Sequence, residues 1–257
     1  MTEILLTTLI KRPYVVAFLC SYLFIAIRVA GLRWTCQFLI VGYTIAFLSE
    51  FFSINYGVPY GQYFYKYANL KGEWLNNGVP VWDSVSYVFM CFAGLYVAFL
   101  ALSPKLSTIS HQPSTINRLK LVVLSAVFVT ILDIIIDPVA HLGRFWFLGD
   151  IYYYPNPGFY FDITLANFAG WFFVSLCINS VGVFLLKFDC VCRLSKTNSV
   201  LALGLYYGIA GFGVVIAIYL NRMTLLLADL FWIALTALLI VRLRASGVNK
   251  AHSFSNR

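Results

Sequence analysis

The sequence has few charged residues for its length. Lysine, arginine, aspartate and glutamate together make up 11% of its 257 residues, whereas a soluble domain carries roughly 25%. So few charges cannot cover a surface that faces water. Together with a hydrophobic content of 61%, this scarcity excludes an ordinary soluble domain and indicates a protein that lies in a membrane.

The usual metal ligands are also sparse. The three histidines, His111, His141 and His252, are scattered without an H-x-x-x-H spacing, which argues against the histidine-ligated iron of membrane desaturases and hydroxylases. Cys190 and Cys192 have no second cysteine pair to complete a zinc site. We therefore expect neither a metal nor a cofactor.

Apolar residues occur in runs long enough to cross a bilayer, which takes about 20 helical residues. The runs are too long and too uniformly apolar for barrel strands, and a helix satisfies its own backbone in lipid. The sequence predicts an all-α polytopic membrane protein, with one domain over 1–245 and a polar basic tail over 246–257. The seven predicted spans are 13–31, 34–52, 81–102, 119–137, 164–186, 199–220 and 223–242.

The net charge of +8 does not require a nucleic acid as a partner. The basic residues lie in the loops and the tail, where the positive-inside rule accounts for them. With an outer N-terminus, six of the 18 lysine and arginine residues fall outside and twelve fall inside. The sequence thus predicts a multi-pass protein of the plasma membrane, with its N-terminus outside, its C-terminus inside and the lipid bilayer as a partner.

Two long connections, 52–80 and 138–162, are rich in aromatic residues, glycine and proline. Such segments fit the membrane interface, where a ring is buried and its polar tip stays wet. Since they join spans two to three and four to five, the alternating topology places both on one side of the membrane. The charge count makes that side the outer one.

Acidic residues cluster beneath these two connections. A carboxylate at mid-membrane costs about 2.5–3.5 kcal/mol on insertion scales, so several together suggest a cavity that they face. The alternative, open for each position, is a helix-end residue wetted by lipid headgroups. Six of the ten acidic residues lie in this half of the bundle: Glu50, Asp83, Asp133, Asp137, Asp162 and Asp229.

The most informative element is Asp133-Ile-Ile-Ile-Asp137-Pro138. Its spacing puts both carboxyls on one helix face, where like charges repel, so one should keep a proton near neutral pH and could donate it to an alkene. Pro138 is expected to end or kink the helix. Two alternatives are a pair that binds a loop or Arg144, and a Mg²⁺–diphosphate site of the membrane prenyltransferase type, which lacks a second Asp-rich motif here.

Aromatic residues accompany the acidic cluster. An interface belt is the default interpretation, but ring faces also attract cations and could stabilise a carbocation. An apolar cavity with acids at one end and aromatic walls would suit a long alkene. The aromatic residues in question are Tyr60, Tyr63, Tyr65, Trp82, Trp146, Tyr152, Tyr153, Tyr154 and Trp171.

Over roughly residues 45–175 the chain resembles membrane carotenoid-biosynthesis proteins, a group that includes the carotenoid 1′,2′-hydratases acting on bisanhydrobacterioruberin and γ-carotene. The element Asn167-Phe-Ala-Gly-Trp171 and the Asp-Pro element are its most specific parts. Thr164 stands where that group has a proline, after a longer stretch than usual. The other matching segments are Glu50, Gly57–Tyr65, Gly78–Pro80, Trp146, Gly149 and Tyr153.

The resemblance implies addition of water to the terminal C=C of an acyclic carotenoid end. Asp137 or Asp133 would protonate the alkene and leave a tertiary cation. Glu50 would deprotonate the attacking water. The implied partners are a long hydrophobic polyene and other enzymes of the carotenoid pathway. The predicted substrate-binding residues are Tyr63, Tyr65, Trp82, Asp83, Trp146, Tyr153, Asp162, Asn167 and Trp171, of which Trp146 and Tyr153 would stabilise the cation.

Three other functions are open at this stage. A membrane terpene or carotenoid cyclase would use the same protonation, with an internal double bond in place of water. A transporter or receptor could also use seven helices and intramembrane acids, although no inverted repeat is visible. A non-catalytic subunit could bind carotenoid for partner enzymes.

Overall fold

The computed structural model describes residues 2–103 and 117–255. Within these ranges the chain is a bundle of seven helices long and apolar enough to cross a membrane, which confirms the predicted fold class of an all-α polytopic membrane protein. The spanning segments are Pro13–Ala30 (α2), Leu32–Tyr56 (α3), Val81–Leu102 (α4), Arg118–His141 (α5), Leu165–Leu185 (α6, Leu165–Ser180, with a closing π turn), Lys196–Tyr219 (α8) and Met223–Ser246, part of α9.

Two further helices do not span. Thr2–Lys11 (α1) precedes the first span, and the sequence did not predict it; Phe188–Val191 (α7) is a single turn. The last helix, α9, runs over Met223–Ser255, so most of the predicted polar tail continues that helix. In the described part of the chain, the remaining regular elements are a 3₁₀ turn at Gly143–Phe145 and four two-residue strands: Phe64–Tyr65 (β1), Leu75–Asn76 (β2), Val79–Pro80 (β3) and Tyr152–Tyr153 (β4).

Pro138 does not end α5, contrary to one of the two outcomes that the sequence predicted for it. The proline cannot donate the hydrogen bond of its turn, yet the helix continues to His141. The next turn closes normally, because the N–H of Leu142 donates to the carbonyl of Pro138 at 3.1 Å. The helix therefore extends one turn beyond its predicted end at residue 137 and carries Asp137 within it.

The fourth helix is the core of the bundle. In an 18-residue apolar stretch of α4, 83% of the residues are buried, against 22–56% in the corresponding stretches of the other six spans. Gly94 lets α5 approach closely: a Cβ there would lie 2.6 Å from Val129 Cγ2 and 3.0 Å from the carbonyl of Ser125. Because α4 is surrounded by other helices, most of its side chains are buried against them.

The two aromatic connections pair with each other at one end of the bundle, as the alternating topology predicts. Strands β1 and β4 are antiparallel, with Phe64 opposite Tyr153 and Tyr65 opposite Tyr152. The N–H of Lys66 extends the contact by donating to Ile151 O at 2.8 Å. Together the connections cover the ends of α3, α4, α5 and α6.

Arg12, at the start of α2, anchors this cover. Its side chain is buried and donates two hydrogen bonds to the carboxylate of Glu73, at 2.9 and 2.8 Å, and a third to Leu148 O at 2.7 Å. Its guanidinium also lies over the ring of Trp82, 4.3 Å from the centroid. One side chain thus ties α2 to both connections and to α4.

Candidate active site

A cavity of about 120 Å³ lies beneath the paired connections, among α3, α4, α5 and α6. Its walls are mostly aromatic, and no lysine or arginine is among the residues that line it. Four carboxyl groups face it: Glu50, Asp83, Asp133 and Asp137. The other polar lining residues are Tyr14, Tyr60, Tyr63, Tyr65, Trp82, Ser86, Tyr87, Tyr152, Tyr154, Asn167 and Trp171.

The first carboxyl pair is Asp133 and Asp137, one turn apart on α5. The amide nitrogen of Asn167, on the first turn of α6, donates to Asp133 Oδ2 and to Asp137 Oδ2, each at 3.0 Å. Asn167 is held at that turn because Thr164 caps α6, accepting from the N–H of Asn167 at 3.3 Å. The i, i+4 spacing therefore has the predicted effect of placing both carboxyls on one face.

The paired connections add hydroxyl donors to Asp137. The hydroxyl of Tyr152 donates to Asp137 Oδ1 at 2.6 Å, and that of Tyr154 lies 3.4 Å from Oδ2. The pair thus binds a loop, which was one alternative; no contact between the pair and Arg144 is present in the described part of the chain. The guanidinium of Arg144 lies instead over the ring of Phe145.

The second carboxyl pair is Glu50 on α3 and Asp83 on α4, bridged by a hydroxyl. The Tyr65 hydroxyl lies 2.6 Å from Asp83 Oδ2 and 3.3 Å from Glu50 Oε2. Ser84 Oγ is 3.5 Å from the same Glu50 oxygen. A phenol has one proton to donate, so it serves Asp83 at the shorter distance and leaves Glu50 with room for another donor.

The tyrosine hydroxyls of the cover stay protonated at neutral pH. Burial, with the carboxyls of Asp83 and Glu50, raises the pKa of Tyr65 well above its ordinary value. Burial likewise raises the pKa of Tyr152 and Tyr154, with the Asp137 carboxyl as the next cause. These groups therefore act as hydrogen-bond donors to the carboxyls and not as bases.

Nine of the twelve predicted site residues line this cavity. Trp146, Tyr153 and Asp162 do not. The Trp146 indole donates to Val139 O at 2.8 Å and its ring packs against Tyr14 and Phe212. Tyr153 is 42% exposed, since the alternation along β4 turns Tyr152 inward and its neighbour outward.

Two of the six clustered acids lie apart from the other four. Asp162 sits in a loop with φ +68°, and its carbonyl accepts from the N–H of Gly158 at 3.0 Å. Asp229 is fully buried on α9, and neither carboxyl oxygen has a hydrogen-bond partner within the described ranges. Position in the same half of the bundle does not fix which way the helix face of Asp229 points or where the loop carries Asp162, so the sequence grouped both wrongly.

Sequence reasoning missed Tyr87 on the inner wall and did not single out Tyr60 for the site. Tyr87 on α4 stacks on Trp171, with 3.7 Å between ring centroids and an interplanar angle of 9°. Tyr60, named only as one of many aromatic residues, packs 5.9 Å from Tyr87. A signal for Tyr87 was present, because it follows Asp83 by four residues and so shares its helix face.

The donor set does not resemble a metal centre. No group of three or more histidine, cysteine, aspartate or glutamate residues lies close enough to hold one ion within residues 2–103 and 117–255. His111 falls outside those ranges. The four carboxyls instead form two separate pairs, each bridged by a neutral donor, and no basic residue lines the cavity to hold a diphosphate. The geometry thus gives the Mg²⁺–diphosphate alternative no support.

These features define a multi-pass α-helical membrane protein with a carboxyl-rich, aromatic-walled cavity at one end of its bundle. A family model described as carotenoid biosynthesis protein matches residues 10–240. The chain belongs to this family and has a role in carotenoid biosynthesis. The match extends well beyond the segment 45–175 that carried the resemblance. No curated protein and no solved structure matches the chain.

Proposed function

We propose that the protein is a carotenoid hydratase, which adds water to the terminal C=C of an acyclic carotenoid end. The observation that carries the proposal is the presence of two carboxyl pairs in one aromatic-walled cavity lined by no lysine or arginine. One pair supplies a proton and the other removes one from water. Both are needed for acid-catalysed hydration, and neither requires a metal or a redox cofactor.

The acid is the Asp133–Asp137 pair. Two carboxyls that share one amide donor, in a cavity whose lining residues include no lysine or arginine, cannot both be ionised at low cost, so one carries a proton. That proton passes to the less substituted carbon of the terminal double bond. The alkene π electrons form the new C–H bond, the pair is left with both carboxylates ionised, and the positive charge rests on the tertiary carbon.

The cation is stabilised by the inner aromatic wall. Ring faces attract positive charge by about 0.5–2 kcal/mol or more when desolvated. The stacked rings of Tyr87 and Trp171 face the cavity beside the Asp pair. We assign the stabilisation of the cation to these two rings and no longer to Trp146 and Tyr153, which the sequence suggested.

The base is Glu50, in the second pair. Water bound between Glu50 and the cation attacks the tertiary carbon and gives its proton to the carboxylate, so the product is a tertiary alcohol. The Tyr65 hydroxyl donates its one proton to Asp83 at 2.6 Å, which leaves Glu50 with room to accept from that water. Proton return from Glu50 to the Asp pair through cavity water then resets the site, and the net reaction consumes one water.

Pigment mass in a host that accumulates lycopene or bisanhydrobacterioruberin tests the proposal. The wild-type chain should yield a product heavier by one water, and Asp137→Asn should yield none while inserting normally. Asp150→Asn is the control, since Asp150 forms a part-exposed ion pair with Lys66 away from the cavity. An isomer of unchanged mass would instead identify a cyclase, which uses the same protonation; full activity of Asp137→Asn would refute the assigned acid.

We also propose that the protein lies in the plasma membrane with its N-terminus outside. The positive-inside bias supports this orientation. It would place the cavity and the paired connections toward the outer leaflet. Labelling of single cysteines introduced at Lys66 and at Arg193 with a membrane-impermeant maleimide in intact cells tests it, with reaction expected at 66 only.

A further inference from the structure

A second cavity, of about 220 Å³, opens on the outside of the bundle between α3 and α6. Among its lining residues the only hydroxyl is that of Ser49. This hydroxyl lies 2.7 Å from Ala46 O and 2.7 Å from the Tyr60 hydroxyl, so it is already paired. We call this surface the α3–α6 groove. Its other walls include Ile45, Phe52, Pro59, Val174 and Cys177.

The carboxyl-lined cavity is too small for a whole carotenoid. At about 120 Å³ it is slightly smaller than the engineered cavity of about 150 Å³ that holds one benzene molecule. It therefore admits the end group of a polyene and not the conjugated chain. The rest of such a substrate must lie on an apolar surface that continues from the cavity.

The α3–α6 groove is next to the cavity, and Tyr60, which lines the cavity, is hydrogen-bonded to Ser49 of the groove. On α3, Ser49 faces the groove and Glu50 faces the cavity. On α6, Val174 faces the groove and Trp171 faces the cavity. Tyr60 joins the two, with its hydroxyl on Ser49 and its ring in the cavity wall.

The segment that carries Tyr60 has a glycine at each end in the left-handed region, Gly57 at φ +74° and Gly61 at φ +80°. Such glycines let a short segment adopt backbone conformations closed to other residues. Tyr60 also rests directly on Gly170, where a Cβ would collide with its ring. This contact, the Ser49 hydrogen bond and the packing of its ring against Tyr87 hold the Tyr60 side chain in place.

We propose that the α3–α6 groove binds the polyene chain of the substrate while the end group reaches the carboxyl pairs past Tyr60. The proposal rests on the hydratase function proposed above. The groove's apolar walls match a hydrocarbon, and it extends from Pro59 at the level of the cavity to Cys177. Cys177 lies six residues beyond Trp171, about 9 Å further along the helix axis. The substrate enters from the bilayer through this side of the bundle.

Cysteine alkylation tests binding without reference to activity. The wild-type protein in liposomes is treated with a lipid-soluble maleimide, with and without lycopene, and each cysteine is followed by peptide mass spectrometry. Lycopene should slow alkylation of Cys177 several-fold and leave Cys20 and Cys36 unchanged, since both are exposed elsewhere. Equal rates at Cys177 with and without lycopene would mean that ordinary lipid occupies the groove, and would overturn the proposal.

A groove-filling variant tests the same idea through catalysis. Cys177→Trp should lower kcat/KM for lycopene by roughly tenfold, the size expected for displacing a few buried methylene-sized groups. It should leave unchanged the hydration of 2-methylbut-2-ene, a five-carbon alkene with the same terminal double bond, which fits the cavity alone. Cys36→Trp is the matched control. Equal loss on both substrates, or loss on neither, would contradict the groove assignment.

The two proposals fail in different ways. If the wild type hydrates neither substrate but lycopene still protects Cys177, the groove stands and the hydratase function falls. If both substrates are hydrated and Cys177 is never protected, the hydratase function stands and the groove falls.

Discussion

Breaking the buried ion pair between Arg12 and Glu73 should destabilise the protein strongly. Their side chains are 2% and 0% exposed, and 2.8 Å separates Arg12 Nη2 from Glu73 Oε1. Arg12→Leu leaves a buried carboxylate without its main partner and the carbonyl of Leu148 without its donor. Removing one member of such a pair costs about 3–5 kcal/mol.

The neighbouring lysine offsets little of this loss. Lys11 Nζ lies 3.7 Å from Glu73 Oε1, but its side chain is 40% exposed, and exposed pairs contribute about 0–1 kcal/mol. We therefore expect Arg12→Leu to lower the free energy of unfolding by about 3 kcal/mol or more. Glu73→Leu should cost a similar amount, because it leaves the guanidinium unpaired.

Reversible unfolding in mixed detergent micelles, followed by circular dichroism, measures these changes. The double variant Arg12→Leu with Glu73→Leu should lose about 2 kcal/mol less free energy of unfolding than the two single variants lose together, because the two residues interact directly. Lys66→Leu, which breaks the part-exposed pair with Asp150, is the control and should change stability by less than about 1 kcal/mol. Strict additivity of the two single variants would refute the buried pair.

Three further predictions concern packing, the acid pair and the tyrosine hydroxyls. Gly94→Ala should lower the free energy of unfolding by about 1–3 kcal/mol, because the added Cβ would lie 2.6 Å from Val129 on α5. Gly204→Ala is the control, since Gly204 has open space around it, and thermal melts should show no such loss. An unchanged stability of Gly94→Ala would contradict the close approach of the two helices. Asn167→Leu should reduce kcat by roughly 10–100-fold with little change in KM, the size expected for a hydrogen bond to a charged group, whereas Asn55→Leu on the exposed end of α3 should not; an unchanged kcat would remove the shared amide from the mechanism. Burial raises the pKa of Tyr65 above its ordinary value of 10.0, so with rising pH the unfolded chain loses this proton before the folded protein does. The contribution of this hydroxyl to the free energy of unfolding is therefore full below about pH 10 and falls as the pH rises further. Melting temperatures at stepped alkaline pH should fall less steeply in Tyr65→Phe than in the wild type, and identical slopes would argue against a buried hydroxyl.

Much of the fold could be predicted from the sequence, because membrane spans are set by composition alone. Each predicted span overlaps an observed one, and the errors lie at the ends, as at Pro138. The short helix α1 was missed because ten residues of mixed character give no span signal. The anchor of the cover was missed too, because Arg12 and Glu73 are 61 residues apart and sequence spacing cannot show that they meet.

The site was predictable where local geometry decides it. Asp133 and Asp137 share a face because they are one helical turn apart. Glu50 and Asp83 could be placed near each other because one ends the second predicted span and the other opens the third. Tyr153 was chosen wrongly in place of Tyr152, because the register of β4 against β1 decides which of them points inward. Asp229 was grouped with the others because no local pattern reports the rotation of a helix about its own axis.

The pairing of β1 with β4 has a consequence for how the site comes into being. Glu50 and Asp83 are made early in synthesis, whereas the hydroxyls and the amide that satisfy Asp137 come from residues 152–167. Until α6 has joined the bundle, the four carboxyls have only the first connection over them, and Asp137 lacks its donors. The cavity is therefore completed late in synthesis, when the second connection and α6 pack against the helices that precede them.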